Sequence, residues 1–370
     1  MSSGLGAGHP VVLQELLESF VRSGTIAGAV ALVERDGRRE VAVAGVADLA
    51  TGRLLTRDTP FRYASITKPL VAAATMTFVD DGALRLDDPI ERWLPELRGV
   101  RVLRTPDADL DDTVALQRPQ SVEDLLTSRC GWGFPSSFEG EWVQSLFPLQ
   151  PGLEISLPPA PQEWLTALAA LPLRHQPGEG WLYNTSFDLL GILLARVGGA
   201  DLGEVLRTRL FGPLGMRDTA FSAAPDRLPA AYRLGADGLD LFDASDGRWS
   251  SPPRFLSGAG GLVGTLDDWS RFAHELLAPR LLSPDAVRAM TTDHLIDAQR
   301  LEGEVFLEGE GWGFGGSVHP VTGRYGWVGG SGTSAHVVPA RGTTGILLTQ
   351  TAMDSPVPPT FLREFWDYAF

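Results

Sequence analysis

The spacing of apolar residues changes twice along the chain. At the start, apolar residues three or four positions apart predict an amphipathic helix over about residues 11–22. The next two runs, 28–34 and 39–46, alternate with a period of two and predict strands. Asp36-Gly37 lies between them and is typical of a two-residue hairpin turn.

The middle of the chain, from about residue 65 to residue 290, returns to helical spacing interrupted by loops rich in proline and glycine. The predicted helical stretches there are 70–79, 122–126, 164–171, 187–197 and 269–277. A period of two then reappears over 312–318, 335–338 and 345–351. Residues 360–370 predict a last amphipathic helix.

Strands at both ends with helices between them predict an α/β (α+β) fold in which the chain termini complete one antiparallel sheet. The first and last helices would flank this sheet. We therefore expect a split sheet domain of residues 1–64 and 295–370, and a mainly helical lobe of residues 65–294 inserted into it. The active site would lie at their junction.

Composition narrows the class of protein. With 370 residues, of which 44% are apolar, the chain can bury a large core. A net charge of −15 disfavours nucleic-acid partners, which need a basic surface. A single cysteine, Cys130, excludes an internal disulfide and is expected to be a small packed side chain. No apolar run is long enough to span a membrane, and residues 1–10 lack a signal-peptide pattern, so we expect a cytoplasmic protein.

The most informative residue is Lys68. It is the one lysine among 31 basic residues, the others being arginines, and it follows Ser65 by three positions in the run Tyr63-Ala-Ser-Ile-Thr-Lys68-Pro69. A desolvated lysine can release its proton near neutral pH, whereas arginine stays protonated. Lys68 can therefore act as a base.

The Ser65-x-x-Lys68 spacing suits nucleophilic catalysis. Residues i and i+3 share a helix face, so the amine can reach the hydroxyl, and a helix N-terminus offers N–H groups to an oxyanion. Read alone, the pattern is weak, because serine is also a favoured helix cap. Two further segments strengthen it: Pro177-Gly178 leading to Tyr183-Asn184 and then Leu189-Leu-Gly, and the glycine-rich run from Tyr325 to Gly332.

With these three segments in this order, roughly from residue 26 to residue 351, the chain resembles the superfamily of serine β-lactamases and penicillin-binding proteins. It looks most like class C β-lactamases and the family VIII carboxylesterases that share their fold. The resemblance implies a β-lactamase/transpeptidase-like fold, with Ser65 as the acylated nucleophile, Lys68 as its activator and Tyr183 as the proton relay. It also implies an oxyanion hole from the N–H groups of Ser65 and Gly330.

Two departures from the superfamily pattern matter. The tyrosine motif usually reads Tyr-x-Asn, but here Asn184 follows Tyr183 directly, so either Asn184 or Thr185 could fill the asparagine role. The Lys-Thr-Gly triplet that receives a substrate carboxylate cannot occur, because Lys68 is the one lysine. The nearest match is Trp327-Val328-Gly329, an uncharged form found in some of the esterase relatives.

The predicted function is therefore that of a serine hydrolase that cleaves a small-molecule carboxylic ester through an acyl-enzyme, without cofactor or metal. The first alternative is a β-lactamase or D,D-peptidase that holds a carboxylate with Arg324; the second is a catalytically silent binding or scaffold protein. The sequence leaves the oligomeric state and the physiological substrate open.

Three further segments, an aromatic loop, an acidic loop and a glycine-rich run, are candidates for smaller roles. An aromatic loop could line an acyl pocket or belong to a satellite core; its residues are Trp132, Phe134, Phe138, Trp142 and Phe147. Asp107, Asp109, Asp111 and Asp112 resemble a calcium loop but lack its glycine, and predict a solvated acidic loop. The run 257–263 predicts a tight turn packed beside the active site.

Overall fold

The computed structural model describes residues 12–150 and 159–370. Its strands, in chain order, are β1 (Gly28–Arg35), β2 (Arg38–Asp48), β3 (Arg53–Leu54), β4 (Phe61–Arg62), β5 (Val102–Leu103), β6 (Thr113–Val114), β7 (Ala231–Gly235), β8 (Gly238–Asp243), β9 (Val263–Gly264), β10 (Gly311–Trp312), β11 (Ser317–Val318), β12 (Tyr325–Gly329), β13 (Thr333–Val338), β14 (Thr343–Thr349) and β15 (Thr351–Ala352).

The helices are α1 (Leu13–Arg22), α2 (Lys68–Asp80), α3 (Val122–Leu126), α4 (Glu141–Leu146), α5 (Pro161–Ala170), α6 (Thr185–Gly198), α7 (Leu202–Leu206), α8 (Gly212–Leu214), α9 (Leu266–Leu277), α10 (Pro284–Thr291), α11 (Asp297–Glu302), α12 (Glu304–Leu307) and α13 (Thr360–Ala369). A 3₁₀ turn, Ala64–Thr67, immediately precedes α2.

An antiparallel sheet joins the two ends of the chain, as the period-two runs predict. Eight strands lie in the order β10-β11-β12-β13-β14-β1-β2-β3, so β1 from the start pairs with β14 from the end. The β1–β2 hairpin turns at Asp36 and Gly37, both with positive φ of 52° and 72°, the geometry expected of an Asp-Gly turn.

The sheet is covered on both faces. On one face Ala29, Ala31 and Val33 of β1 pack with α1 and α13, where Phe20 and Phe361 lie 6.1 Å apart between ring centroids. The alternate residues Val30 and Leu32 enter the main core, which contains α2. β1 is thus buried on both sides.

α2 is the central helix of the main core. Residues 68–78 are buried, because the run Leu70-Val-Ala-Ala-Ala74 is apolar all the way round the helix. Pro69 lies in the first turn, as expected, where it costs little hydrogen bonding. This burial fixes the position of the residues at the N-terminal end of α2.

The middle stretch is less uniformly helical than its spacing predicts. Residues 231–243 form the β7–β8 hairpin, and β15 adds to it in parallel. Leu239 and Leu241 alternate with Asp240 there, a short period-two pattern hidden among longer helical signals. α9 also packs against β13 and β14 of the sheet. The division into 1–64 with 295–370 and 65–294 stays a prediction.

Candidate active site

Ser65 lies in the 3₁₀ turn between β4 and α2, not at a helix cap. Tyr63 fixes the entry to this turn, because its N–H donates to Leu262 O at 2.8 Å and its hydroxyl donates to Thr265 O at 2.6 Å. Ala64 has φ of +48°, an unusual conformation for a non-glycine residue, held here by the surrounding packing. The turn places the Ser65 Oγ 3.0 Å from Lys68 Nζ.

Lys68 is completely buried, and its amine contacts four oxygen atoms. Nζ lies 2.7 Å from Ala259 O, 2.9 Å from Asn184 Oδ1, 3.0 Å from Ser65 Oγ and 3.2 Å from Tyr183 Oη. Burial lowers the pKa of Lys68 below its ordinary value, and Tyr183 and Asp188 oppose this shift. The amine is therefore easier to deprotonate than an exposed lysine.

The oxygen atoms around Lys68 Nζ can satisfy the hydrogen bonds of either a neutral amine or a charged ammonium. Ala259 O and Asn184 Oδ1 can only accept hydrogen bonds, and a neutral amine has two N–H groups to give them. Its lone pair then remains for the hydroxyl of Ser65 or Tyr183. A charged ammonium has three donors, and both acceptor-only oxygens still take two of them. In either protonation state of Lys68, each buried N–H group of the amine therefore has an acceptor.

Asn184, not Thr185, contacts the lysine. Asn184 has φ 87° and ψ −65°, and the Thr185 N–H donates to Tyr183 O at 3.3 Å, which together define a γ-turn. This tight turn brings the adjacent Tyr183 and Asn184 side chains to the same amine. Thr185 instead contacts Gln150, which lies 3.2 Å from its Oγ1. The γ-turn thus compensates for the residue missing from the usual Tyr-x-Asn spacing.

The Tyr183 phenol lies between Lys68 and Trp327. The indole Nε1 of Trp327 donates to Tyr183 Oη at 2.7 Å, and Lys68 Nζ lies 4.5 Å from the centroid of the phenol ring. The ring of Phe306 stacks on Tyr183, with centroids 4.6 Å apart. The phenol oxygen is therefore in hydrogen-bond contact with both the lysine amine and the indole.

The end of β12 lies directly against the turn that carries Ser65. A Cβ added to Gly329 would lie 2.3 Å from Tyr63 O, so only glycine permits this approach. Gly330 follows immediately and has no atom within 4 Å of an added Cβ, so it borders open space. The predicted residues Trp327, Gly329 and Gly330 are thus brought to the same place as Ser65, Lys68 and Tyr183.

Arg324 does not serve this site, which corrects the carboxylate-binding alternative. Its guanidinium pairs with Glu310 at 2.8 Å. It also lies 4.8 Å from the ring centroid of Trp366 and 5.4 Å from that of Phe370, both at the C-terminal helix. Side chains alternate along β12, so Arg324 and Trp327 point to opposite faces of the sheet.

The aromatic loop divides into two groups. Trp132 and Trp142 are core residues, buried and bonded through their indoles to Leu171 O and Pro172 O, so they do not line a pocket. Three half-buried or nearly buried rings instead form a cluster with Phe306 next to Tyr183, at centroid distances of 5.0–6.2 Å: Phe134, Phe138 and Phe147.

Asp188 and Phe306 are neighbours of the site that the sequence reasoning missed. Asp188 is completely buried on α6, and its Oδ1 accepts from Ser257 Oγ at 2.6 Å and from Ala259 N–H at 3.2 Å. The signal for it was a carboxylate inside the apolar run 187–194. The 257–261 turn does pack beside the site, as predicted, and it provides the Ala259 carbonyl.

Other predicted features have structural roles or no described site. Cys130 is buried, and burial raises the pKa of its thiol to about 11, as suits a packed side chain. Asp112 pairs with Arg104, and Asp107 with Arg174, in the acidic loop. Within residues 12–150 and 159–370 no cluster of three or more metal-ligating side chains occurs.

No helix among the described residues combines the length and apolarity that a membrane span requires. Residues 1–10, on which the expected location partly depends, lie outside the described ranges. The cytoplasmic location stays a prediction.

Comparison with known proteins places this arrangement in a family. The model of the family described as Beta-lactamase matches residues 13–360. Protein Rv1367c of Mycobacterium tuberculosis is 38% identical over 318 residues, which cover 82% of this chain and 78% of that protein. Esterase EstB of Burkholderia gladioli is 31% identical over 378 residues, covering 94% of this chain and 92% of EstB.

A solved structure agrees with these sequence matches. EstCE1, described as a hydrolase with promiscuous acyltransferase activity, superposes with a TM-score of 0.82 at 26% identity, over 96% of this chain and 97% of that one. The β-lactamase/transpeptidase-like fold expected from the sequence is confirmed.

Proposed function

The chain belongs to the beta-lactamase family and is a serine hydrolase, and from this premise we propose that it cleaves carboxylic esters through an acyl-enzyme on Ser65. The observation that carries the proposal is the contact of Lys68 Nζ with both Ser65 Oγ and Tyr183 Oη. A nucleophile and two proton carriers within hydrogen-bond reach of one another are what acyl transfer requires.

Acylation begins with the proton of Ser65. Neutral Lys68, held by Asn184 and Ala259, accepts this proton as Oγ attacks the ester carbonyl carbon. The N–H groups of Ser65 and Gly330 then stabilise the oxyanion of the tetrahedral intermediate. Collapse of the intermediate breaks the bond to the alkoxide, which takes its proton from Tyr183.

Deacylation reverses these proton transfers with water in place of the alcohol. Tyr183, as phenolate, removes a proton from the attacking water; Trp327 Nε1 and protonated Lys68 stabilise its charge. The tetrahedral intermediate collapses to the free acid, and Ser65 Oγ recovers its proton through Lys68. Lys68 and Tyr183 thus return to their starting states.

The preference for an ester over an anionic lactam or peptide is supported by the residue at the β12 position. Trp327 presents an uncharged indole to the site, and the guanidinium of Arg324 forms an ion pair with Glu310. A substrate carboxylate beside Trp327 would meet an indole instead of a charged side chain at this strand position, and it would lose solvation without an ion pair in return. The similarity to EstB, an esterase, and to EstCE1, a hydrolase, supports this preference.

We place the acyl group of the substrate against the phenylalanine cluster formed by Phe134, Phe138, Phe147 and Phe306. We expect Phe138→Ala to lower kcat/KM for p-nitrophenyl hexanoate about tenfold, since a lost aromatic contact is worth roughly 1–2 kcal/mol, while hydrolysis of the acetate ester changes little. Equal losses for both esters would place the acyl group elsewhere.

The direct test is release of p-nitrophenol from p-nitrophenyl butyrate, with Ser65→Ala as the control for adventitious hydrolysis. We expect turnover that the substitution abolishes. Nitrocefin hydrolysis at a comparable rate would favour the lactamase alternative. Equal, negligible ester hydrolysis by both proteins, together with no labelling of Ser65 by a fluorophosphonate, would favour the silent scaffold.

A further inference from the structure

Asp188 lies in the first turn of α6, four residues after Asn184. It is completely buried, and Phe187, Leu189 and Leu190 beside it on α6 are apolar. A buried carboxylate is costly unless hydrogen bonds or a nearby cation compensate it. Asp188 is therefore expected to have a role that an apolar residue could not fill.

The contacts of Asp188 lead to Lys68 through one intermediate. Oδ1 accepts from Ser257 Oγ at 2.6 Å and from Ala259 N–H at 3.2 Å, so it fixes both sides of the turn at Gly258. The carbonyl of the same Ala259 accepts from Lys68 Nζ at 2.7 Å, the shortest contact of the amine. Fixing this turn fixes the carbonyl that orients the lysine.

The packing of Gly258 allows this arrangement. A Cβ added there would lie 2.3 Å from Phe187 O on α6, so the turn and the helix are in direct backbone contact. Asp188 and Asn184 thus hold Lys68 from two sides, Asn184 through its own carbonyl oxygen and Asp188 through Ala259.

We propose that Asp188 is a positioning residue: it holds the Ala259 carbonyl against Lys68, and its carboxylate acts electrostatically on that amine. The proposal rests on the proposed role of Lys68 as the base for Ser65.

The charges around Asp188 agree with this role. Among the described residues, Lys68 on α2 is the charged group that interacts with it; the 257–261 turn contributes no titratable side chain, and the Tyr183 phenol lies beyond the lysine. Burial raises the pKa of Asp188 to about 6, while Ser257, Ala259 and Lys68 oppose the rise. Oδ2 has no hydrogen-bond partner in the described structure.

Two substitutions separate the charge from the hydrogen bonds. Asp188→Asn keeps an oxygen that can accept from Ser257 and Ala259 but removes the charge. Since the charge raises the pKa of Lys68, its loss should move the acidic limb of the kcat/KM profile to lower pH. Asp188→Ala removes both features, and we expect it to lower kcat further than Asp188→Asn does, with a smaller effect on KM.

The experiment measures kcat and KM for p-nitrophenyl butyrate from pH 5 to pH 9 in the full chain and in both variants, with Ser65→Ala as background. Fluorophosphonate labelling rates over the same range report Ser65 activation without deacylation. An acidic limb shifted to lower pH in Asp188→Asn, in both measurements, supports the proposal. A profile that keeps its midpoint while kcat and the melting temperature fall together overturns it, because Asp188 would then be structural.

The outcome for Asp188 can be distinguished from that for the whole site. A wild-type protein no more active than Ser65→Ala contradicts the proposed function. An active wild-type protein whose Asp188→Asn variant has an unchanged profile contradicts the Asp188 inference alone. If Asp188→Ala does not fold, the pH profile of Asp188→Asn still tests the inference about Asp188.

Discussion

At the scale of single residues, the proposed chemistry depends on one buried amine. Lys68 has four oxygen atoms within 3.2 Å and no access to solvent, so its protonation state is decided by these neighbours. Burial lowers its pKa, which is the direction a base requires. An arginine at this position would remain charged.

We predict that Lys68→Arg lowers kcat/KM for p-nitrophenyl butyrate at least about a hundredfold, the ordinary contribution of a general base. The larger head group should also cost roughly 1–3 kcal/mol of stability. Lys68→Met is the matched control, since it has a similar volume and no charge, and it should be equally inactive. Circular dichroism would confirm folding, and an active, folded Lys68→Arg protein would refute the base assignment.

A second prediction concerns the strained backbone at Asn184. Asn184→Gly and Asn184→Ala both remove the carbonyl that holds Lys68, so both should slow ester hydrolysis by a similar factor. Alanine should cost roughly 1–3 kcal/mol more stability, because its Cβ is unfavourable at φ of 87°. Thermal melts and kcat measured together test this. A fully active Asn184→Gly protein would show that the carbonyl has no role.

The residues of the candidate site were largely predictable from the sequence, but their hydrogen-bond partners were predictable only in part. The spacing of Ser65 and Lys68 and the motif around Tyr183 identified residues that the structure brings together. The choice between Asn184 and Thr185 was open, because it depends on a γ-turn that no residue pattern encodes. Asp188 acts through the Ala259 backbone, and its partner lies 71 positions away.

At the scale of elements, the site depends on how closely β12 approaches the turn before α2. Gly329 makes this approach possible, since an added Cβ would lie 2.3 Å from Tyr63 O and 2.2 Å from Thr333 Oγ1. These two oxygen atoms are hydrogen-bonded to each other, since Thr333 Oγ1 donates to Tyr63 O at 2.8 Å. The end of the strand would have to move away from Ser65 to accept a side chain.

We therefore predict that Gly329→Ala lowers kcat about a hundredfold, the ordinary cost of a misplaced oxyanion donor. Gly330→Ala adds the same methyl group where no atom lies within 4 Å and keeps the N–H, so it should lose much less. Steady-state kinetics of the two variants measure the difference. Equal losses would mean that the added methyl groups, not the displaced strand, cause the effect.

Most predicted elements form, including the long helices predicted over 187–197 and 269–277, which lie within α6 and α9. The predicted helix 122–126 is found with the same bounds as α3, and the Asp36-Gly37 hairpin forms as expected. The β7–β8 hairpin was not predicted, because its period-two pattern is short and lies among longer helical signals. The sequence offered Arg324 as a residue that could bind a substrate carboxylate. Its pairing with Glu310 depends on the packing of β10 near β12, which the sequence does not reveal.

At the scale of the whole molecule, the active site carries a cost in stability. The pKa of Asp188 is about 6 in the folded chain, against an ordinary value of 3.8. A raised carboxyl pKa stabilises the fold at low pH, and this contribution is lost as the pH rises through about 6. The difference corresponds to at most about 3 kcal/mol.

Asp188→Asn should therefore become more stable relative to the wild-type protein as the pH rises from 4 to 7, with most of the change below about pH 6. The neutral amide does not ionise, so its stability should not show the loss that Asp188 causes. Melting temperatures of both proteins across this range measure the effect, and we expect the gap to widen by about 2 °C or more. A constant gap would show that Asp188 does not titrate in this range.

The central claim is that Ser65 becomes acylated by an ester. The most direct measurement is the intact mass of the protein, quenched with acid milliseconds to seconds after mixing with p-nitrophenyl butyrate, followed by peptide mapping. We predict a transient mass increase of one butyryl group, located on the peptide that contains Ser65 and absent from Ser65→Ala. Ester turnover without any adduct on Ser65, or an adduct that persists in Ser65→Ala, would contradict the account.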